Sequence, residues 1–161
     1  MTGQQPIVRP AQLPDLFILS EYWYDRMALI AHKQPSVHLH PHARAVWEQN
    51  AQSWLQTPTV RALVSLQQEE VIGGLFVQIG PNTPGLLPEQ CATVLALVID
   101  LHTVYQRQGV GRVLWQAMKT QLHTEGITRL YALAQAGDML ESTFWPSLGA
   151  WPAEQWFGLD I

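Results

Sequence analysis

The tightest constraint on this chain's fold is the stretch Gln106-Arg107-Gln108-Gly109-Val110-Gly111 and what flanks it. Before it runs an apolar segment, Val94 to Leu101; after it comes an amphipathic one, Val113 to Leu122. Apolar strand, glycine turn and helix in that order aim backbone N–H groups at one point. The first turn of a helix carries N–H donors without intrahelical acceptors and a partial positive charge, so it attracts anions, phosphates above all. Glycines allow the ligand to approach the backbone without a Cβ in the way.

Around this turn the pattern alternates between strands and helices. Ile7 and Val8 predict a short strand ending at Arg9-Pro10. Pro14-Asp15 opens a helix, since proline suits the first turn, and Leu16, Leu19, Trp23, Met27 and Ile30 follow at helical spacing. Gln34-Pro35 breaks that pattern, and His38-Leu39-His40-Pro41-His42 reads as a loop. Ala43 to Leu55 predicts a second helix with Trp47 and Trp54 on one face. Val60 to Leu66 alternates as a strand should, and Val71 to Ile79 is its return strand across a polar turn. Gly80 to Pro88, with three prolines and two glycines, is a loop.

Ala92 to Leu101 is apolar at almost every position, as in a strand covered on both faces. Ile127 to Leu133 predicts a further strand, Asp138 caps a helix through Phe144 that stops near Pro146 and Gly149, and Glu154 to Ile161 offers a last strand. The expectation is one domain over residues 1–161, with no internal repeat or linker.

Several classes are disfavoured. A net charge of −4 gives no basic footprint for nucleic acid. The single Cys91 forms no internal disulfide and no metal-type pair, and reads as a small buried hydrophobe. The N-terminus lacks the basic flank and apolar run of a secretion signal, and no apolar run reaches membrane-spanning length, so a cytoplasmic protein is expected. Seven tryptophans are many for 161 residues, and a substrate groove or a homodimer surface would use some of them.

Three phosphate-binding motifs compete for the glycine turn. A dinucleotide fingerprint needs a third glycine where Leu114 stands, and a nucleotide-triphosphate loop needs Gly-Lys-Ser/Thr, which is absent. What remains is Gln/Arg-x-x-Gly-x-Gly/Ala, matched by Gln106, Gly109 and Gly111 and preceded by Tyr105. This resembles the GNAT N-acetyltransferase superfamily. Ile7-Val8-Arg9-Pro10-Ala11 with Pro14-Asp15-Leu16, Glu70-Val71-Ile72-Gly73-Gly74 and Phe144-Trp145-Pro146-Ser147-Leu148-Gly149 resemble its first strand and helix, its third strand and the end of its last helix.

The resemblance implies an α/β fold with a mixed, mostly antiparallel central sheet flanked by helices. It implies acetyl-coenzyme A as acyl donor and an amine as acceptor. Backbone N–H groups from Arg107 through Gln108, Gly109, Val110, Gly111 and Arg112 would hold the pyrophosphate, with Arg107 and Arg112 adding charge. The backbone of Ile99 and Leu101 would pair with the pantetheine arm as if it were an added strand. That requires the strand at 92–101 to splay from the one at 127–133.

The chain departs from the family where proton transfer is usually handled. The fourth-strand glutamate position is Leu95, and the final-helix tyrosine is Trp145, whose indole N–H donates a hydrogen bond but does not ionise near neutrality. Trp145 either packs on the thioester end or is a core residue. Asp138 replaces an asparagine and serves as a helix cap or a cofactor contact. Asp100 and His102 are the ionisable candidates for moving the amine's proton, each with a plain loop or strand-end role as the alternative. These departures keep a second possibility open, an acyl-coenzyme A-binding module with little transfer activity. The histidines at 38, 40 and 42 share one side of an extended segment, but no second cluster completes a metal site. With Tyr22, Trp23, Tyr24 and Trp47 they are candidates to shape an acceptor pocket, or are a polar loop over two core helices.

Overall fold

A four-residue strand, β1 (Ile7–Pro10), starts the chain at one edge of the sheet. A single 3-10 turn at Leu13–Asp15 leads into α1 (Leu16–Lys33), which stops at Gln34 in extended conformation. Arg9 and Asp15 lock this entry: the guanidinium donates two hydrogen bonds to the carboxylate, at 2.7 and 2.9 Å. The computed structural model describes residues 5–101, 109–154 and 157–161. The expectations placed on His102, Gln106, Arg107 and Gln108 therefore lie outside the described residues.

After α2 (Ala43–Gln56) come β2 (Val60–Gln67), β3 (Glu70–Pro81) and β4 (Gln90–Ile99). Then follow α3 (Val110–Thr124), β5 (Leu130–Tyr131) and α4 (Met139–Ser147). The five strands lie in the order β1-β2-β3-β4-β5. The first three pairings are antiparallel and β4–β5 is parallel. This is the mixed, mostly antiparallel sheet flanked by helices that the sequence implies.

Two apolar layers cover the sheet. On one face Leu16 and Leu19 of α1 and Trp47 and Ala51 of α2 pack on Val64, Phe76 and Val98. Trp47 stacks on Trp23 and meets Trp54 and Phe76 edge-on. On the other face Leu114, Met118 and Leu122 of α3 cover Leu63, Leu75 and Leu97, with Trp145 of α4 in the same cluster. The helical spacing of those α3 residues and the alternation along β2 and β3, interrupted by a bulge at Ile72, sort the side chains to the two faces. Among the described residues no helix is long and apolar enough to cross a membrane.

Several boundaries differ from the sequence expectation. α3 begins at Val110 rather than Val113, because Gly109 takes up the left-handed conformation (φ 70°) and starts the helix directly after it. α4 runs on through Pro146 to Ser147, where a missing N–H in the last turn forfeits one hydrogen bond only. The strand expected over 127–133 shrinks to Leu130–Tyr131: only Ala92↔Leu130 and Thr93↔Tyr131 pair before the chains part. The strand expected at Glu154–Ile161 is absent among the described residues there, and Phe157, Leu159 and Ile161 are exposed, so they have no sheet edge or core to order them.

Candidate active site

The early end of β5 has a direct consequence for β4. From Val94 to Ile99, β4 is paired to β3 on one side and to no strand on the other among the described residues. Asp100 donates its N–H to Ile72 O. In an antiparallel ladder alternate residues face the partner, so the backbone groups of Leu97 and Ile99 point to the open edge. β4 also carries a bulge: Phe76 faces Ala96 and Val77 faces Val94, which leaves Leu95 as the extra residue.

The open edge faces a cleft of about 610 Å³. Its walls are Arg26, Ile30 and Lys33 of α1, Ile99 and Leu101 after the bulge, the first turn of α3, and the N-terminal half of α4 with Phe144. The first intrahelical bond of α3 runs from Val113 N–H to Gly109 O. The N–H groups of Val110, Gly111 and Arg112 thus stand outside the helix's own ladder at the cleft wall, with the positive end of the helix dipole. Lys33, Arg26 and Arg112 bring cationic side chains to the same walls, against the one carboxylate of Asp138. The arrangement suits an extended ligand with a phosphate at one end and amide groups along its length.

The residues singled out from sequence distribute unevenly. Ile99, Leu101, Gly109, Val110, Gly111, Arg112 and Asp138 all line the cleft. Arg112 also reaches Ser147 Oγ at 3.1 Å and ties α3 to the end of α4. Asp138 is the N-cap of α4, accepting from the N–H groups of Leu140 and Glu141 at 3.1 and 3.4 Å. Trp145 is not part of the lining. It is a core residue, edge-on to Trp115 and Phe144, and its buried indole favours the charged form of the Glu141 carboxyl.

Asp100 also stands away from the lining. Strand alternation turns it with Ala96 and Val98 toward the α1–α2 face, where it is buried near Tyr22. The Tyr22 hydroxyl donates to Val71 O, and burial together with the charge of Asp100 holds its pKa well above the usual tyrosine range.

The aromatic and histidine candidates for an acceptor pocket separate as well. Trp47 is core, Trp23 stacks on it, and no tryptophan lines the cleft among the described residues. The loop histidines at 38, 40 and 42 are exposed; His40 Nδ1 accepts from the His42 N–H at 2.9 Å. Among the described residues no group of three or more His, Cys, Asp or Glu is placed to hold a metal ion.

Two residues that the sequence did not single out meet at the cleft wall: Arg26 lines the cleft, and Glu141 is its buried partner outside the lining. Arg26 and Glu141 are both buried. The Arg26 guanidinium donates to Leu97 O at 2.5 Å from Nη1, and lies 3.4 Å from Glu141 Oε1 and 3.6 Å from Asp138 Oδ2. Burial pushes the Glu141 carboxyl up to about 7; Arg26 opposes that shift and Asp138 adds to it. A signal for Arg26 was present: it sits inside the apolar stripe of α1, three residues after Trp23 and four before Ile30, where a charge has to find partners.

Comparison with known proteins agrees with this geometry. No curated protein matches the chain in sequence. In structure it is similar to the tetramutant of BH1408 from Bacillus halodurans, with a TM-score of 0.80 at 15% identity over 96% of this chain and 99% of that one. It is similar to a predicted acetyltransferase with acetyl-CoA from Clostridium acetobutylicum, with a TM-score of 0.74 at 9% identity over 97% and 96% of the two chains. The aminoglycoside antibiotic 6'-N-acetyltransferase AAC(6')-IG from Acinetobacter haemolyticus gives 0.72 at 16% identity, over 96% and 99%. At these identities the likeness establishes the fold. The sequence model of the Acetyltransferase (GNAT) family matches residues 21–142, most of the chain, from within α1 to the first turn of α4, and the protein thus belongs to the GNAT family of acetyltransferases.

Proposed function

We propose that this chain transfers the acetyl group of acetyl-coenzyme A directly to an amine. The observation that carries this reading is the juxtaposition of the unpaired β4 edge with the N-terminus of α3 in one cleft. The N–H groups of Val110, Gly111 and Arg112, together with those of Arg107, Gln108 and Gly109, would hold the pyrophosphate. The backbone of Leu101 and Ile99 would pair with the pantetheine amides, as an added strand pairs with a sheet edge. The amine, deprotonated, attacks the thioester carbonyl. The C–S bond breaks, the thiolate takes up a proton, and an amide and free coenzyme A leave. Holding both reactants in line is itself a large share of such a rate. A β4 with an apolar Leu95 at its bulge fits a reaction in which solvent, rather than a strand carboxylate, takes the amine proton.

The acceptor class stays open to small metabolites, antibiotics and peptide or protein N-termini. Two of the structurally similar proteins are aminoglycoside 6'-N-acetyltransferases, which puts an aminoglycoside into the acceptor panel. A second reading, an acyl-coenzyme A-binding module with little transfer activity, is favoured by one observation. Trp145, at the position of the usual acid, is buried among α3 residues and does not line the cleft. Calorimetric titration with acetyl-coenzyme A tests the donor; absence of binding at millimolar concentration would overturn both readings. Thiol release with kanamycin, spermidine and a short peptide as acceptors separates the two, since binding without turnover supports the module.

A further inference from the structure

The open edge of β4 is closed at one residue. Moving away from α3 along this edge, the outward-facing backbone positions are Leu101, Ile99 and Leu97, a run of about 13 Å at ~3.3 Å per residue. The first two are cleft walls beside the helix N-terminus. At the third, the carbonyl already accepts from Arg26 Nη1 at 2.5 Å. The guanidinium comes from α1 and is clamped from α4 by Glu141 and Asp138, at 3.4 and 3.6 Å. Arg26 is only 8% exposed, so this is a buried bridge joining α1, β4 and α4 across the end of the groove.

We propose that Arg26 is the end wall of the acyl site and restricts the donor to short acyl groups. The inference rests on the acetyl-coenzyme A reading above. A ligand anchored by phosphate on α3 and paired along Leu101 and Ile99 meets the guanidinium where the pairing positions run out. A two-carbon acyl group stops short of it. A longer aliphatic chain has to continue along the edge and strip Arg26 from the Leu97 carbonyl. That leaves a buried carbonyl without a donor and the buried Asp138 and Glu141 carboxyl groups without their guanidinium partner, each unfavourable. Nor does the chain gain an apolar wall in return, because the surface it meets is a guanidinium and its carboxylates. Asp138, fixed as the α4 cap, and Glu141, one turn further on, act as positioning residues that hold the wall in place.

The test is calorimetric titration of the full chain with coenzyme A and with its acetyl, butyryl and octanoyl thioesters. The wild-type protein should bind the acetyl thioester at least about tenfold more tightly than the octanoyl thioester, the scale on which pockets discriminate by methylene groups. R26A should narrow that ratio to about threefold or invert it. R26A leaves two carboxylates facing each other, so R26A/E141Q is measured in parallel, with circular dichroism confirming the fold of each. A wild-type protein that binds octanoyl as tightly as acetyl thioester overturns the proposal without any variant. Folded variants with the wild-type ratio overturn it too. If the wild-type chain binds none of the four compounds, the acetyl-coenzyme A reading itself fails and the end-wall role falls with it.

Discussion

Gly111 and Phe144 are in contact without room for a methyl group between them. A Cβ built on Gly111 comes within 2.9 Å of Phe144 Cε2 and 3.2 Å of Ile99 Cδ1. The first turn of α3 is thereby pressed against α4 at the cleft, and the second glycine of the motif is needed for packing as much as for access to a ligand. G111A should therefore lose about 1–2 kcal/mol by overpacking, despite gaining up to ~1 kcal/mol of helix propensity. Phe144 should tilt into the cleft and weaken acetyl-coenzyme A binding. Urea denaturation of G111A, F144A and the double variant checks this: the two changes should couple, with G111A nearly neutral once the ring is gone.

Glu141 makes the stability of the fold depend on pH near neutrality. Its carboxyl titrates at about 7 in the folded protein, mainly through burial, against about 4.3 in an unfolded chain. Between those values the folded state holds a proton that the unfolded state has lost. Stability from this group is thus fully present below about pH 4.3, falls as pH rises to about 7, and is flat above, with a slope of at most about 1.4 kcal/mol per pH unit. E141Q should remove this decline and be relatively more stable at pH 8 than at pH 5 when each is compared with wild type. Melting temperatures across pH 4.5–8 measure it; parallel curves for the two proteins would contradict the assignment.

Asp138 serves two elements at once. It caps α4 through two N–H groups and faces Arg26 with its other oxygen. D138A should cost about 1–3 kcal/mol, the sum of a lost cap and a weakened buried ion pair. D138N keeps a capping oxygen and should cost less, since asparagine caps as well as aspartate. Because the Asp138 charge raises the Glu141 pKa, D138N should also move the pH-dependent window of stability downward. Thermal melts of the two variants over the same pH range give both results.

Much of this architecture is legible in local sequence because local rules decide it. Alternation along Val60–Leu66 and Val71–Ile79 sets two strands, and the Leu16–Ile30 stripe sets α1. What local rules cannot show is pairing between distant positions. Arg26 and Glu141 lie 115 positions apart, and neither belongs to a motif. β5 reads as a seven-residue strand because its residues are apolar enough; its pairing with β4 is confined to Leu130 and Tyr131, and the divergence after Tyr131 is the opening of the site. Asp100 has the right chemistry for a base, but the parity of the strand turns it to the other face of the sheet.

Gly109 differs from Gly111 in the reason it is glycine, and substitution can tell the two apart. Among the described residues nothing lies within 4 Å of a Cβ built on Gly109; the constraint there is its φ of 70°. The left-handed conformation there lets α3 start at Val110, which sets the direction of the first-turn N–H groups. G109A should cost about 1–2 kcal/mol, the penalty of that conformation for a residue with a Cβ. G109N should recover part of it, because asparagine visits this region more readily than other residues with a side chain. G111N should recover nothing, since an asparagine is larger than the alanine that already overlaps Phe144. Equilibrium denaturation of G109A, G109N and G111N gives the order, and acetyl-coenzyme A titration of the same three should show affinity falling most for G111N, where Phe144 is driven into the cleft itself.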